Sequence, residues 1–451
     1  MHLDVAGRWN NRALAKLMWP LIIEQFLSVS IGLVDTVMVT AVGEAAVSGV
    51  SLVDSMNMLI IVVFAALGSG GAVVASQYLG RQDHKNASLA ARQLVYAICI
   101  VSVTLMALVL VLQRGILQLV YGHIEADVMQ NALTYFWLSA LSYPFIALYN
   151  ACAGLFRSMG HSKVSMTTAL LINILNIGGN SLLIFGFGLG VAGAAISTLI
   201  SRAVAALVLV LLLMREGRGP ITLHGLMRIK LVPDMIKRIL RIGVPSGLEN
   251  SMFQVGKLMV SRIISTFGTA AIAGNAIANA LLTICTMPAM SFGLGMITVV
   301  GQCVGAGDYK AARRNTMKLL GGAWATMALL CLLVYTFRNP LLTLFNLSPE
   351  AAALARGCIF TFCIAAPLFW PLSFSLPNAL RAAGDARYTM VVSVLCMWTF
   401  RIGASYLFAY SMGFGMLGVW YAMVVDWVVR GACFTLRWVR GKWQNLRLLD
   451  S

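Results

Sequence analysis

Stretches of about twenty apolar residues recur from residue 15 to residue 436, and this constrains the fold more than any other feature of the chain. Each is long enough to cross the ~30 Å hydrocarbon core as a helix. In a bilayer only helices and closed barrels satisfy their own backbone groups, and runs without alternation favour helices. Charged residues make up 11% of the 451-residue chain and hydrophobic ones 59%, whereas a soluble domain has about 25% charged. The sequence therefore describes an all-α polytopic membrane protein. Twelve spans fit, at about 15–40, 53–79, 92–112, 132–156, 164–187, 191–213, 240–265, 278–304, 318–336, 357–380, 388–409 and 414–436. GSGG at 68–71 and the glycine-rich turns 185–193 and 413–418 read as breaks between spans.

Basic residues alternate between the connections. Arg8, Arg12 and Lys16 precede the first span, and Arg81, Lys85 and Arg92 follow the second. The central connection holds Arg215, Arg218, Arg228, Lys230, Lys237, Arg238 and Arg241, and the C-terminus Arg437, Arg440, Lys442 and Arg447. The intervening connections hold only Arg114, Arg338 and Arg356. By the positive-inside rule both termini are cytoplasmic and the protein lies in the inner or plasma membrane. The net charge of +17 is thus a topology signal and does not imply nucleic-acid binding. The polar N-terminal segment runs straight into a full-length span and does not read as a cleavable signal peptide. The nine cysteines show no CxxC spacing and read as small apolar side chains.

Slid along until Pro20 meets Pro245, the sequence matches itself without a gap over a long stretch. Glu24 then falls on Glu249, and Gly43, Ala45, Ala46 and Gly49 fall on Gly268, Ala270, Ala271 and Gly274. Gln77, Gly80, Asp83, Lys85 and Ala87 fall on Gln302, Gly305, Asp308, Lys310 and Ala312. RSMGHSK (157–163) matches RAAGDAR (381–387) with the register displaced by one position. Each repeat holds six spans, so both enter the membrane from the same side, as parallel repeats. The expected organisation is an N-terminal lobe at 1–214, a cytoplasmic linker at 215–239 and a C-terminal lobe at 240–451. Two such lobes flanking a cleft suit a transporter working by alternating access; a duplicated bundle would also serve a channel or passive permease. Gly80 and Gly305 suit left-handed helix ends, and Asp83 and Asp308 suit N-caps of short interfacial helices.

Few charges lie inside the spans, and such groups are functional candidates by default. Glu24 and Asp35 are eleven positions apart on the first helix, which at 100° per residue leaves them about 20° from eclipsed and ~16 Å apart along the axis. One stripe of that helix therefore faces something polar. Asp35 reads as a proton or cation site, or as a buried structural aspartate. Glu249 repeats Glu24. The pair reads as a cation-attracting set, or as carboxylates serving donors near the proline kinks. Asn173, Asn176 and Asn180 form one polar stripe on the fifth helix. They would tune Asp35, or they would hold helices together. Lys257 is a candidate to line the cleft or to partner Glu249. Arg401 stands where the first repeat has Asn176, and pairs in expectation with Asp426. Pro367, Pro371 and Pro377 interrupt the tenth helix.

PLIIEQFLSVSIGLVDTVMV, the duplicated QxxGxxDxKxA, LFRSMGHSK, NILNIGGNSLLIFGFGLGVAGAAISTLISR and GVPSGLENSMFQVGKLMVSRIISTFGTAAIAGNAIA together resemble the multidrug and toxic compound extrusion (MATE) family over essentially the whole chain. The resemblance implies twelve transmembrane helices in two six-helix lobes arranged as a V. It implies export of organic, often cationic, compounds from the cytoplasm in exchange for H⁺ or Na⁺. The family's first-helix aspartate matches Asp35, and the fifth-helix asparagine of one branch matches Asn180. That branch has an acid one turn later, where this chain has Ile184. Another branch pairs a seventh-helix glutamate, approximated by Glu249, with a tenth-helix acid that falls near Trp370 here. The expected ion-coupling residues are Asp35, Asn180, Asn176 and Asn173, and the expected substrate-binding residues are Glu24, Glu249 and Lys257. Asp35 would ligate the metal if Na⁺ is the coupling ion, and no other cofactor is implied. The partners would be small organic substrates and membrane lipid, with the protein a monomer. A lipid-linked oligosaccharide flippase of the same superfamily is the nearest rival. An enzyme is not indicated, since no nucleophile–base set or metal cluster is visible.

Overall fold

A computed structural model describes residues 9–122, 125–215, 219–345, 347–446 and 448–449. Arg8, Arg218 and Arg447, three of the basic residues used for orientation, lie outside these. The chain forms α1 (Asn11–Thr40), α2 (Glu44–Gly80), α3 (His84–Tyr121), α4 (Ala126–Leu141), α5 (Tyr143–Ser158), α6 (Ser162–Asn180) and α7 (Gly190–Met214) in the first repeat. The second repeat forms α8 (Pro233–Ser265), α9 (Thr269–Gly305), α10 (Tyr309–Thr336), a short α11 (Arg338–Thr343), α12 (Pro349–Trp370), α13 (Leu376–Ala382), α14 (Ala386–Cys396), α15 (Ala404–Tyr406) and α16 (Gly415–Val439). Wider π-helical turns follow α6 at Ser181–Gly186, α12 at Pro371–Ser375 and α14 at Met397–Gly403.

Among the described residues, by length and composition, ten helices can cross a membrane, or eleven when α4 and α5, bent by 45° at Ser142, count as one span. The twelfth span expected from sequence is α8. Its charges, among them Lys237, Arg238, Arg241, Glu249, Lys257 and Arg262, keep it below that apolarity. Large apolar side chains such as Val111 and Leu119 stay exposed, as lipid-facing surfaces require.

The repeat is visible in the helices themselves. With Pro20 laid on Pro245, both ends of α2 coincide with those of α9, and both ends of α7 with those of α16. Asp83 caps α3 by accepting from the Asn86 N–H at 3.0 Å, and Asp308 caps α10 by accepting from Ala311 N–H at 2.9 Å. The capped helices are long, 38 and 28 residues, and are not the short interfacial pieces expected. Gly80 and Gly305 also differ from expectation. α2 and α9 do end on them, but in right-handed geometry, and the left-handed turn falls just beyond, at Gln82 (φ 58°) and Gly307 (φ 75°). GSGG at 68–71 lies inside α2 and breaks nothing. It is a packing stripe: a Cβ at Gly70 would sit 2.7 Å from the Ile239 carbonyl oxygen, and one at Gly68 would sit 3.1 Å from that of Asn150.

Contacts divide the chain into two compact units. One is Ala15–Gly247; the other takes the described residues up to Leu14 together with those from Leu248 onward. In the first, α2 packs on α3, α4 and α5, and α6 on α7. The central connection is pinned along α3. Gln93 donates to the Lys230 carbonyl at 2.7 Å and accepts from Val232 N–H at 2.9 Å, and Tyr96 donates to the Leu226 carbonyl at 2.7 Å. The first turns of α8 belong here too, with Arg238 donating to the Tyr78 hydroxyl at 2.7 Å. In the second unit α9 packs on α10, α12 and α13, and α12 on α16. The start of α1 joins it through Lys318, which donates to Asn11 Oδ1 at 2.7 Å.

Candidate functional site

Glu24 and Glu249 are built into matching clamps. Glu24 is buried in α1. It accepts from Arg157 Nη1 at 2.7 Å, at the end of α5, and from Ser165 Oγ at 2.6 Å, on α6. Glu249 is buried in α8 and pairs with Arg381 Nη2 at 2.7 Å, on α13. It also accepts from Thr389 Oγ1 at 3.3 Å and Ser393 Oγ at 2.7 Å, on α14. Arg157 and Arg381 occupy matching positions of the two repeats, and so do Ser165 and Thr389. Each carboxylate therefore has its charge matched by an arginine and its lone pairs filled by hydroxyls. A cationic compound would have to displace a guanidinium to bind either.

Asp35 has a different environment. Half-buried on α1, it accepts from the Asn180 amide at 2.5 Å, at the end of α6. Asn180 also donates to Asn176 Oδ1 at 3.4 Å, and Asn176 donates to Thr198 Oγ1 at 3.1 Å, on α7. Ser197 Oγ closes the chain on the Asn176 carbonyl at 2.8 Å. The site thus joins three helices at the point where α6 widens into the turn Ser181–Gly186, and such π-turns are common at functional sites. Asn180 Oδ1 is buried without a partner, which leaves one acceptor free beside the carboxylate. The third asparagine is not part of the chain: Asn173 donates back to the Ala169 carbonyl of its own helix at 2.9 Å.

Asp54 is a further carboxylate inside a span, one that sequence reasoning missed. Starting the second span at 53 put it at a boundary, but α2 begins at Glu44, so Asp54 sits about 15 Å inside the helix. It is exposed and accepts from the Tyr135 hydroxyl at 3.1 Å. Beside it Asn57 accepts from Tyr143 at 2.8 Å, and Arg202 on α7 donates to Ser142 at 2.8 Å. Arg202 is close enough to act electrostatically on both Asp35 and Asp54. Two carboxylates and one guanidinium leave this region formally one negative charge in excess. Longer-range periodicity starting at Glu44 is the signal that would have found Asp54.

In the second unit Asp426, fully buried on α16, accepts from Arg430 one turn along, and Arg401 Nη1 lies 3.8 Å away. Lys257 does not reach Glu249. Its ammonium sits 5.2 Å from the centroid of Phe253. Among the described residues no group of three or more His, Cys, Asp or Glu is arranged to hold a metal ion. An Na⁺ at Asp35 would have to rely on one carboxylate and neutral oxygens.

A duplicated bundle of membrane-spanning helices with a carboxylate held by an amide inside one repeat has the architecture of a membrane transporter. The sequence model of the MatE family matches residues 20–182 and 245–407, one segment in each repeat and in the same register. The chain belongs to that family, whose members are transporters and not enzymes. It is 29% identical over 438 residues, covering 96% of this chain and 94% of the relative, to the uncharacterized transporter YisQ of Bacillus subtilis. It is 25% identical, covering 97% and 94%, to the probable multidrug resistance protein NorM of Thermotoga maritima. Among solved structures it resembles MATE in the bent conformation (TM-score 0.88, 19% identity, covering 100% and 98%). It also resembles a MOP superfamily transporter from Pyrococcus furiosus (TM-score 0.89, 20% identity, covering 96% and 96%), whose binding pocket is described as having reverse polarity. These structures establish the shared fold.

Proposed function

We propose that the chain is a secondary antiporter of the cell membrane that exports amphipathic organic compounds, cationic ones among them, from the cytoplasm in exchange for H⁺ or Na⁺. The observation that carries this is the Asp35–Asn180–Asn176–Thr198 chain, an ionisable group in a span that accepts from an amide of α6, which is itself linked through Asn176 to α7. Relatives named as probable multidrug resistance proteins support the cargo class. Asp35 is the ion-binding group, and Asp54 and Arg202 set the field around it. With one excess negative charge, a single entering cation neutralises the region. Binding at Asp35 weakens its charge-assisted bond from Asn180, which is worth about twice a neutral one. The α6 π-turn and its packing on α7 then change, and this biases the lobe between two access states. Glu24 and Glu249 serve as scaffold clamps. The basic connections support cytoplasmic termini, and the protein works as a monomer.

The test is ethidium efflux from energised vesicles under separate pH and sodium gradients. Wild type pumps under at least one gradient, and Asp35→Asn does not. Undiminished gradient-driven efflux in Asp35→Asn sinks the assignment. Passive equilibration by the wild type under every gradient sinks antiport itself.

A further inference from the structure

Three cations converge on one ring in the second unit. Lys257 Nζ is 5.2 Å, the Arg401 guanidinium 5.4 Å and the Arg430 guanidinium 5.7 Å from the centroid of Phe253. Arg430 also lies 4.8 Å from the ring of Phe374, which stacks on Trp370 at 4.7 Å. The carboxylate among these cations is Asp426, shared between Arg430 and Arg401. Glu249, one turn from Phe253, is occupied by Arg381. Three positive charges against one negative leave the cluster formally two positive charges in excess.

That excess is under-compensated by what surrounds it. A charge inside a span is costly, and a cation–π contact returns only part of that cost. The donors are also incompletely used. Arg401 and Arg430 are 8% and 2% exposed, yet the Nε of each has no partner, and neither does the indole nitrogen of Trp427. Lys257 is exposed and makes no hydrogen bond or ion pair among the described residues. A donor-rich, positively charged cluster with flat aromatic faces has the chemistry to hold an anion on an aromatic body.

We infer that this cluster, Lys257, Arg401 and Arg430 around Phe253 and Phe374, binds the oxyanion group (carboxylate, sulfonate or phosphate) of an amphipathic aromatic compound. The inference deepens the export reading by naming a second substrate class, and rests on that reading only in treating the bound anion as cargo.

The test is equilibrium binding without any gradient, so it is independent of coupling. Full-length protein in phosphatidylcholine nanodiscs is titrated with 2-naphthoate and with the shape-matched cation 2-naphthylmethylammonium, followed by calorimetry. Wild type prefers the anion. Lys257→Gln and Arg401→Gln each weaken naphthoate about tenfold, the loss expected for one charge-assisted contact, and leave the cation's affinity equal or higher. Lys257→Arg restores naphthoate binding. Lys257 is exposed and unpaired, so its variants keep the test decisive if Arg401→Gln fails to fold. Wild type without preference for the anion, or naphthoate affinity unchanged in Lys257→Gln, overturns the inference. Repeating the titration with phosphatidylglycerol in the discs separates the sources of the oxyanion. Competition in wild type that is lost in Lys257→Gln assigns it to a lipid headgroup, and no competition assigns it to a soluble organic acid. Both support an oxyanion site. Failure of the export reading would show instead as ethidium efflux that ignores Asp35, with naphthoate binding untouched.

Discussion

Glu24 and Glu249 are held by the same kinds of partner, an arginine at 2.7 Å and hydroxyls, whereas Asp35 and its counterpart in the second repeat, Val260, share nothing. The contrast extends through both repeats. Asp54 corresponds to Asn279, Asn176 to Arg401 and Arg202 to Trp427. The duplicated scaffold of caps, clamps and close helix approaches is kept, and the polarity at its centre is reversed, from one excess negative charge in the first repeat to two excess positive charges in the second. What was retained is what packing and burial demand of either copy. What diverged is the set of charges free to meet an ion or a compound. The charge character of one repeat therefore does not carry over to the other.

The largest effect should come from Asp35→Asn, which is expected to reduce gradient-driven ethidium efflux to that of protein-free vesicles. The comparison breaks if Val260→Asp rescues it. Next come the clamps. Glu24→Gln and Glu249→Gln each remove a buried carboxylate that faces an arginine, and each should lower unfolding stability by about 3–5 kcal/mol, read as a lower Tm. A large inequality between the two would mean the clamps are not equivalent. Asp54→Asn should slow coupled efflux severalfold, less than Asp35→Asn does, since it removes one charge near that carboxylate; Asn279→Asp in the second repeat should leave coupling as it is. At the small end, Asp83→Ala and Asp308→Ala should each cost about 1 kcal/mol, measured by thermal unfolding. For Asp83 the cost should depend on pH. Burial alone would raise its carboxyl, but hydrogen bonds from Asn86 and the neighbouring His84 and Lys85 outweigh it and hold it below the usual range. A lowered folded value means the cap contributes fully above the unfolded value of about 3.9, and the difference from Asp83→Ala should disappear as the pH falls below it.

Residue chemistry made part of the site legible. Asp35 stood out because a carboxylate in an apolar run needs a reason, and Asn176 and Asn180 because their spacing places them on one helix face. Asn173 shares that spacing, but its amide turns back to its own helix, and periodicity cannot distinguish those two fates. Asp54 was hidden by hydropathy, which sees where a span is apolar enough and not where the helix begins. The convergence of Lys257, Arg401 and Arg430 on Phe253 involves α8, a π-turn and α16, and no local pattern links them.

The sequence by itself determined that the chain is helical, embedded in a membrane and built from two copies of one unit, because apolar length, basic-residue alternation and self-similarity are properties of the chain read in order. It also marked the carboxylates that would need partners. Tertiary structure alone decided which partners they received. Glu24 and Asp35 lie on nearly one face of one helix, yet one meets an arginine and a serine, the other an asparagine. The physical reason is that the helix carrying a charge fixes only its direction, while the group it meets belongs to segments far along the chain whose placement comes from packing.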